Sequence, residues 1–166
     1  MNLDYELLQF FVLKKIVKRK DVDEIAEACK RLNMPVEKYL IAKEYCTEVS
    51  ALYAMAEFFC MPAVELDMLD IDKELFDKFS FDFMKKHKVV PVCMDKKGTL
   101  LLAVGRPLDM CAISAISTRF VCPLDFVMVP AGQIERYVDS IVAVISTSTA
   151  LSDLNAEQDK NLVKEN

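Results

Sequence analysis

Apolar residues recur every three to four positions through the first sixty residues, and that spacing predicts helices. Leu7, Leu8, Phe11, Val12 and Ile16 form the inward side of a first helix. The run Lys18-Arg19-Lys20 breaks the pattern. Asp21 is a suitable N-cap for a second helix with Ile25, Ala28, Cys29 and Leu32 on its apolar side, and Asn33 ends it. Pro35 opens a third, short helix through Val36, Leu40 and Ile41. Thr47-Glu48-Val49-Ser50 begins a fourth, which continues through Leu52, Met55, Phe58 and Phe59 to Cys60, where Pro62 stops it.

A faint repeat runs through this part. Ile25 to Pro35 parallels Leu52 to Pro62 at an offset of 27 residues, each a helix closed by Met-Pro. Two copies are too few for a solenoid. A four-helix unit made of two helical hairpins fits better.

After Pro62 the period changes. Asp70 to Phe79 reads as a helix, with Phe81 to Lys88 as its continuation or a second turn. Val89 to Met94 and Thr99 to Val104 read as strands joined by Asp95-Lys96-Lys97-Gly98, where Gly98 can take the left-handed conformation a short hairpin needs. Asp109 can cap a helix carrying Met110, Ile113 and Ile116. Leu124 to Val129 returns as a third strand. Gln133 to Ile145 places Ile134, Tyr137, Val138 and Ile141 on one helical face. The resulting fold class is α+β: a helical subdomain over residues 1–62, then a three-stranded sheet in β-β-α-β-α order with helices on one face over 63–145. From Ser146 the composition turns polar, so 146–166 reads as a flexible tail or linker.

Composition narrows the function classes. The chain of 166 residues is 53% hydrophobic and 28% charged, enough apolar surface to build a core. A net charge of −5 suits neither duplex nucleic acid nor an anionic membrane, which both select clustered cations. The one basic run, Lys14-Lys15 with Lys18-Arg19-Lys20, reads as a solvated helix end. The six cysteines have no Cys-x-x-Cys spacing and lie among apolar neighbours. They read as small core residues of a reduced, cytoplasmic protein. Neither a signal peptide nor a bilayer-spanning apolar run is legible, so no direct membrane insertion is expected.

Little catalytic chemistry is visible. The chain has three glycines, at 98, 105 and 132, and no Gly-x-x-x-x-Gly-Lys-Ser/Thr loop. Gly105-Arg106-Pro107 is the only phosphate-loop candidate, and Pro107 lacks a donor. His87, the lone histidine, sits in Lys85-Lys86-His87-Lys88 and reads as a surface residue. Asp67, Asp70, Asp72, Glu74 and Asp77 form an acidic run without EF-hand spacing, suited to capping and solvation. No catalytic residue, metal site or cofactor is expected, and the chain reads as a non-enzyme.

The order from Val89-Val90-Pro91-Val92 through the hairpin to Leu101-Leu102-Ala103-Val104 and then Arg106-Pro107-Leu108-Asp109 resembles the N-terminal domain of the ATPases that power type II secretion and type IV pilus assembly. The resemblance implies a docking and regulatory domain. Its partner would be a cytoplasmic domain of an inner-membrane platform protein, and an ATPase domain would act in cis or in trans. Localisation would be cytoplasmic, peripheral to the inner membrane through partners. The helical part would carry the contact, with Phe10, Phe11, Tyr39, Tyr45 and Tyr53 as anchors if they are not core residues.

One branch of that family binds cyclic di-GMP through two tandem motifs that begin Arg-Leu-Gly, carry a middle glycine and end in glutamine. The second copy aligns with Pro35-Val36-Glu37, Glu44 and Phe58, and the first with Glu6-Leu7-Leu8, Lys15 and Cys29 or Arg31. The guanine-binding arginines and the glycines are replaced. A divergent nucleotide-sensing module is therefore the rival to the docking domain.

Overall fold

The computed structural model describes the backbone of residues 3–162 and side chains through residue 149. Four helices come first: α1 (Leu3–Leu13), α2 (Val22–Leu32), α3 (Val36–Ala42) and α4 (Glu48–Phe58). All four end in the same way. Lys15, Asn33, Glu44 and Cys60 take left-handed φ of 61°, 48°, 60° and 53°. The following residue then reaches back five positions: Ile16 N–H to the Phe11 carbonyl, Met34 to Cys29, Tyr45 to Leu40 and Met61 to Ala56, at 2.9–3.0 Å. This is the Schellman closure, usually built on glycine. The Met-Pro repeat of the sequence is therefore a repeat of helix endings. Lys15 and Glu44 stand at the two positions that align with the family's middle glycines, and both need the conformation glycine adopts without strain.

Thr47 caps α4, its hydroxyl accepting from Ser50 N–H at 3.1 Å. Asp21 stands at the N-cap of α2 but makes no side-chain cap bond.

The segment after Pro62 runs beside the sheet: Met128 N–H donates to the Pro62 carbonyl at 2.8 Å and Val64 N–H to the Met128 carbonyl at 3.0 Å. The predicted helix over Asp70–Phe79 is only a 3₁₀ turn, Lys73–Lys78. Asp72 caps that turn, and its own N–H donates to the Val92 carbonyl at 2.7 Å, so the chain here is held by the sheet. Helix α5 (Phe81–His87) follows, capped by Ser80.

Strands β1 (Val89–Met94) and β2 (Leu100–Val104) are antiparallel, with a register shift between Pro91 and Cys93. Pro91 is tolerated because β1 is an edge strand. Gly98 takes φ 79° in the turn. Asp109 caps α6 (Met110–Arg119), accepting from Ala112 N–H at 2.7 Å. Strand β3 (Leu124–Met128) pairs parallel to β2, and α7 (Ala131–Leu162) closes the chain.

Consecutive residues of a strand face opposite sides. Val89 and Val90, and Ala103 and Val104, are all fully buried, so this end of the sheet is covered on both faces. One-sided packing was the expectation. A single apolar cluster runs from Leu7 to Val138 across Pro62, so the helical and sheet halves share one core.

The polar stretch after Ser146 is helical as far as Leu162. Helix α7 does not stop near Ser146. Ile134 and Val138 anchor its start in the core, and elongation from a formed helix is easy. Ser146, Thr147 and Thr149 bond back to the carbonyls of Val142, Ala143 and Ile145, which satisfies their hydroxyls within the helix. Residues 163–166 lie outside the described residues.

Candidate functional site between the helical and sheet halves

The five aromatic residues proposed as anchors do not form one patch. Phe11 is completely buried in the core with Leu7 and Leu8, so it presents no surface to a partner. Phe10, one position earlier, is half-buried and packs on Phe58 with ring centroids 5.4 Å apart. Lys14 lies over the Phe10 ring and pairs with Glu57. Tyr53, 56% exposed, sits one turn before Glu57 on α4. Tyr39 is half-buried. Tyr45 is 40% exposed, and partial burial with neighbouring Asp21, Tyr39 and Glu24 pushes its hydroxyl pKa up. Phe10 and Tyr53 thus belong to the α1–α4 side, and Tyr39 and Tyr45 to α3 and the turn after it, with Asp21 and Glu24 near Tyr45.

A different region has the geometry of a site. A groove of about 460 Å³ opens between α3 and α4 on one side and the β2 end with the first turns of α7 on the other. Ile41, Leu52, Met55, Val129 and Pro130 line its apolar part. The backbone approaches closely here: a Cβ at Gly105 would lie 2.8 Å from the Cβ of Ala131 and 3.2 Å from that of Lys88. That contact holds the end of β2 against the start of α7.

Ion pairs flank the groove, and two of them cross it. Arg136 binds both carboxylate oxygens of Glu48 at 3.1 and 2.8 Å. Lys88 pairs with Glu135 at 2.7 Å, and this bond is the main reason the Glu135 pKa is lowered. Arg106, from the loop after β2, donates to Asp4 Oδ1 at 2.6 Å and lies 3.2 Å from Glu37 Oε1. It therefore ties α1 and α3 to the sheet half.

Glu37 is the unusual member. It is 7% exposed, and its Oε2 is buried without a hydrogen-bond partner. Burial pushes its pKa up, and the opposing pull of Arg106 does not cancel that. A buried acceptor left unmatched costs about 1–3 kcal/mol. The sequence held a signal for it: Glu37 shares a helical face with Leu40 and Ile41, at spacings of three and four. Asp4 and Arg106 carried no such signal.

The other candidate residues fall into ordinary places. Gly105 N–H donates to the Lys88 carbonyl at 2.9 Å, and the Arg106 guanidinium is engaged by Asp4 and Glu37. His87 is half-buried against Phe83, with centroids 4.5 Å apart, rather than a free surface residue. Of the cysteines, Cys29 is buried, but Cys60 and Cys111 are exposed, which corrects the expectation that all six fill the core. Cys60 occupies the left-handed position after α4, where the chain turns outward.

A family model described as the MshEN domain matches residues 59–144, just over half of the chain. The chain belongs to the MshEN domain family, and it resembles the N-terminal domains of type II secretion and type IV pilus assembly ATPases. The fold agrees with a structure of MshE with cdg, cyclic di-GMP, at a TM-score of 0.66 and 19% identity, covering 81% of this chain and 96% of that one. The N-terminal domain of XpsE matches in two crystal forms, at TM-scores of 0.62 and 0.50 with 21% and 19% identity, each covering 84% of this chain and 96% of that one. No curated protein matches. Among the described residues, no helix is long and apolar enough to cross a membrane.

Proposed function

We propose that this chain is a non-catalytic docking and regulatory domain that joins a secretion or pilus assembly ATPase to a cytoplasmic domain of an inner-membrane platform protein. Its place is the cytoplasmic face of that membrane, reached through the partner. The carrying observation is where the aromatic surface lies. Tyr5, Tyr45 and Tyr53 are exposed on the helical half, as are Leu3 and Leu13 on α1 and Leu32 at the end of α2. Tyrosine is enriched among residues that dominate protein interfaces. The large exposed apolar residues of 63–130 are instead methionines and one valine: Met68, Met94, Met110 and Val121.

Point substitutions suit this question better than deletion, because the two halves share a core. Tyr53→Ala and Tyr45→Ala should each weaken capture of the platform protein's cytoplasmic domain at least fivefold, with unchanged circular dichroism. Full capture by the double variant would place the contact elsewhere and sink the proposal. The absence of a glycine-rich phosphate loop also predicts no ATP turnover by this chain.

A further inference from the structure

The chain carries its charge unevenly. Residues 65–77 hold six of its 26 acidic residues and, in Lys73, one of its 21 lysines and arginines. The other 20 acids and 20 cations cancel, so this segment alone accounts for the net charge of −5. It passes the start of α7 and is pinned twice. Leu66 N–H donates to Gln133 Oε1 at 2.8 Å, and Asp72 N–H donates to the Val92 carbonyl at 2.7 Å. A groove of about 600 Å³ lies between this segment and α7, walled by Leu66, Leu69, Ile71 and Tyr137. Two charged side chains line it, Asp67 and Arg136. Arg136 is neutralised by its two bonds to Glu48. Asp67 and the exposed Asp70 and Asp72 are in no ion pair among the described residues. The unbalanced charge at this groove is therefore negative.

The reverse arrangement stands at the turn between α1 and α2. Leu13 is 72% exposed there, and Lys14, Lys15, Lys18, Arg19 and Lys20 follow it, all exposed. Residues 14–20 are the one stretch of seven in this chain with five cations and no acid. Lys14 is held by Glu57, and the other four pair with no carboxylate among the described residues. Asp21, Asp23 and Glu24 come next, at the N-terminus of α2, which favours them. The turn is fixed by the left-handed closure at Lys15 and by Val17, buried behind it. Within one copy the two surfaces stand toward opposite ends of α4. Lys14 pairs with Glu57 near its end and Arg136 with Glu48 at its start, about 14 Å along the helix.

We propose that the α1–α2 turn of one copy docks in the acid-rimmed groove of a second copy. Leu13 supplies the apolar contact, and Lys15, Lys18, Arg19 and Lys20 face the acids of residues 67–72. An acidic segment would be repelled there, and an uncharged one would leave the carboxylates unmatched. The two surfaces differ, so the contact is head-to-tail and each copy keeps one of each free for the next. Exposed ion pairs are individually weak and are screened by salt, so the association is weak and salt-sensitive. This inference is independent of the docking reading above.

The test is sedimentation velocity of the 166-residue chain from about 20 to 500 μM, in about 20 mM and about 300 mM NaCl. At low salt the sedimentation coefficient should rise with concentration, and the apparent Kd should be at least tenfold weaker at high salt. Lys18→Glu with Lys20→Glu, and Asp67→Lys with Asp70→Lys, make two double variants. Each should stay monomeric with unchanged circular dichroism, and an equimolar mixture of the two should associate again, because the reversed charges match across copies. Wild type offers a measurement that needs no substitution: on concentrating, NMR amide signals of residues 13–20 and of 66–71 should move together. A monomer at every concentration, association that salt leaves unchanged, a mixture of folded variants that stays monomeric, or shifts confined to one surface overturns the proposal. Movement of 66–71 by a capped Lys-Leu-Lys peptide, with wild type monomeric throughout, gives the groove to another protein's basic segment and overturns the second copy.

Discussion

Replacing Glu37 by glutamine should make the protein more stable at neutral pH. The carboxylate is 7% exposed and has one oxygen without a donor. Its pKa is raised, chiefly by burial, so desolvation outweighs the pull of Arg106. Glutamine still buries an unmatched polar group, so what it relieves is the desolvation of the charge, and what it forfeits is a charge-assisted contact worth about 1.5–3 kcal/mol in general. Here that contact is long, 3.2 Å, and Arg106 keeps its shorter bond to Asp4 at 2.6 Å. The net gain should be about 1 kcal/mol, or roughly 2–4 °C in Tm for a chain of this size. The pH dependence carries the sign. A raised folded-state pKa means that the native protein holds this proton to higher pH than the unfolded chain. The contribution of Glu37 is therefore most favourable below the unfolded carboxylate pKa, about 4.3, and is lost as pH rises through the folded value. The advantage of Glu37→Gln should accordingly be small at pH 4, grow with pH, and level off above the folded pKa. Urea denaturation of both proteins from pH 4 to pH 8 measures it. A loss of 1 kcal/mol or more at pH 7.5, or a difference that does not change with pH, would refute the reasoning.

Lys15→Gly and Glu44→Gly should each raise stability by about 0.5–1 kcal/mol, because glycine takes their left-handed backbone without strain; a lower urea midpoint for both would contradict this. Gly105→Ala should lower stability by about 1–3 kcal/mol through the clash with Ala131. A thermal melt indistinguishable from wild type would show that α7 yields easily there. Cyclic di-GMP should not bind with a Kd below about 10 μM, some −7 kcal/mol. Glu6, Pro35, Glu37, Glu44 and Phe58 stand where the family's binding residues would be, and calorimetry reporting tighter binding would revive the nucleotide-sensing rival.

What the sequence determined by itself is the set of interactions that close within a few residues. Thr47 and Asp109 cap their helices by accepting from the N–H three residues on, and Gly98 serves its turn, because a cap or turn needs only its own neighbourhood. The Met-Pro repeat was legible for the same reason: each copy is a local helix ending. Helical phase also marked Glu37 as facing the apolar side, though nothing local said what it would meet. Phe10 and Phe11 show the limit of phase, since adjacent residues on one helix divided into half-buried and fully buried only when α4 packed against α1. The polar stretch after Ser146 became helix because the core held Ile134 and Val138, which its own composition could not announce. The Arg106 cluster joins residues 102 positions apart, and the Arg136–Glu48 pair joins residues 88 apart. Such pairs depend on how the two halves dock, and that docking is decided by burial of the shared core rather than by any local pattern.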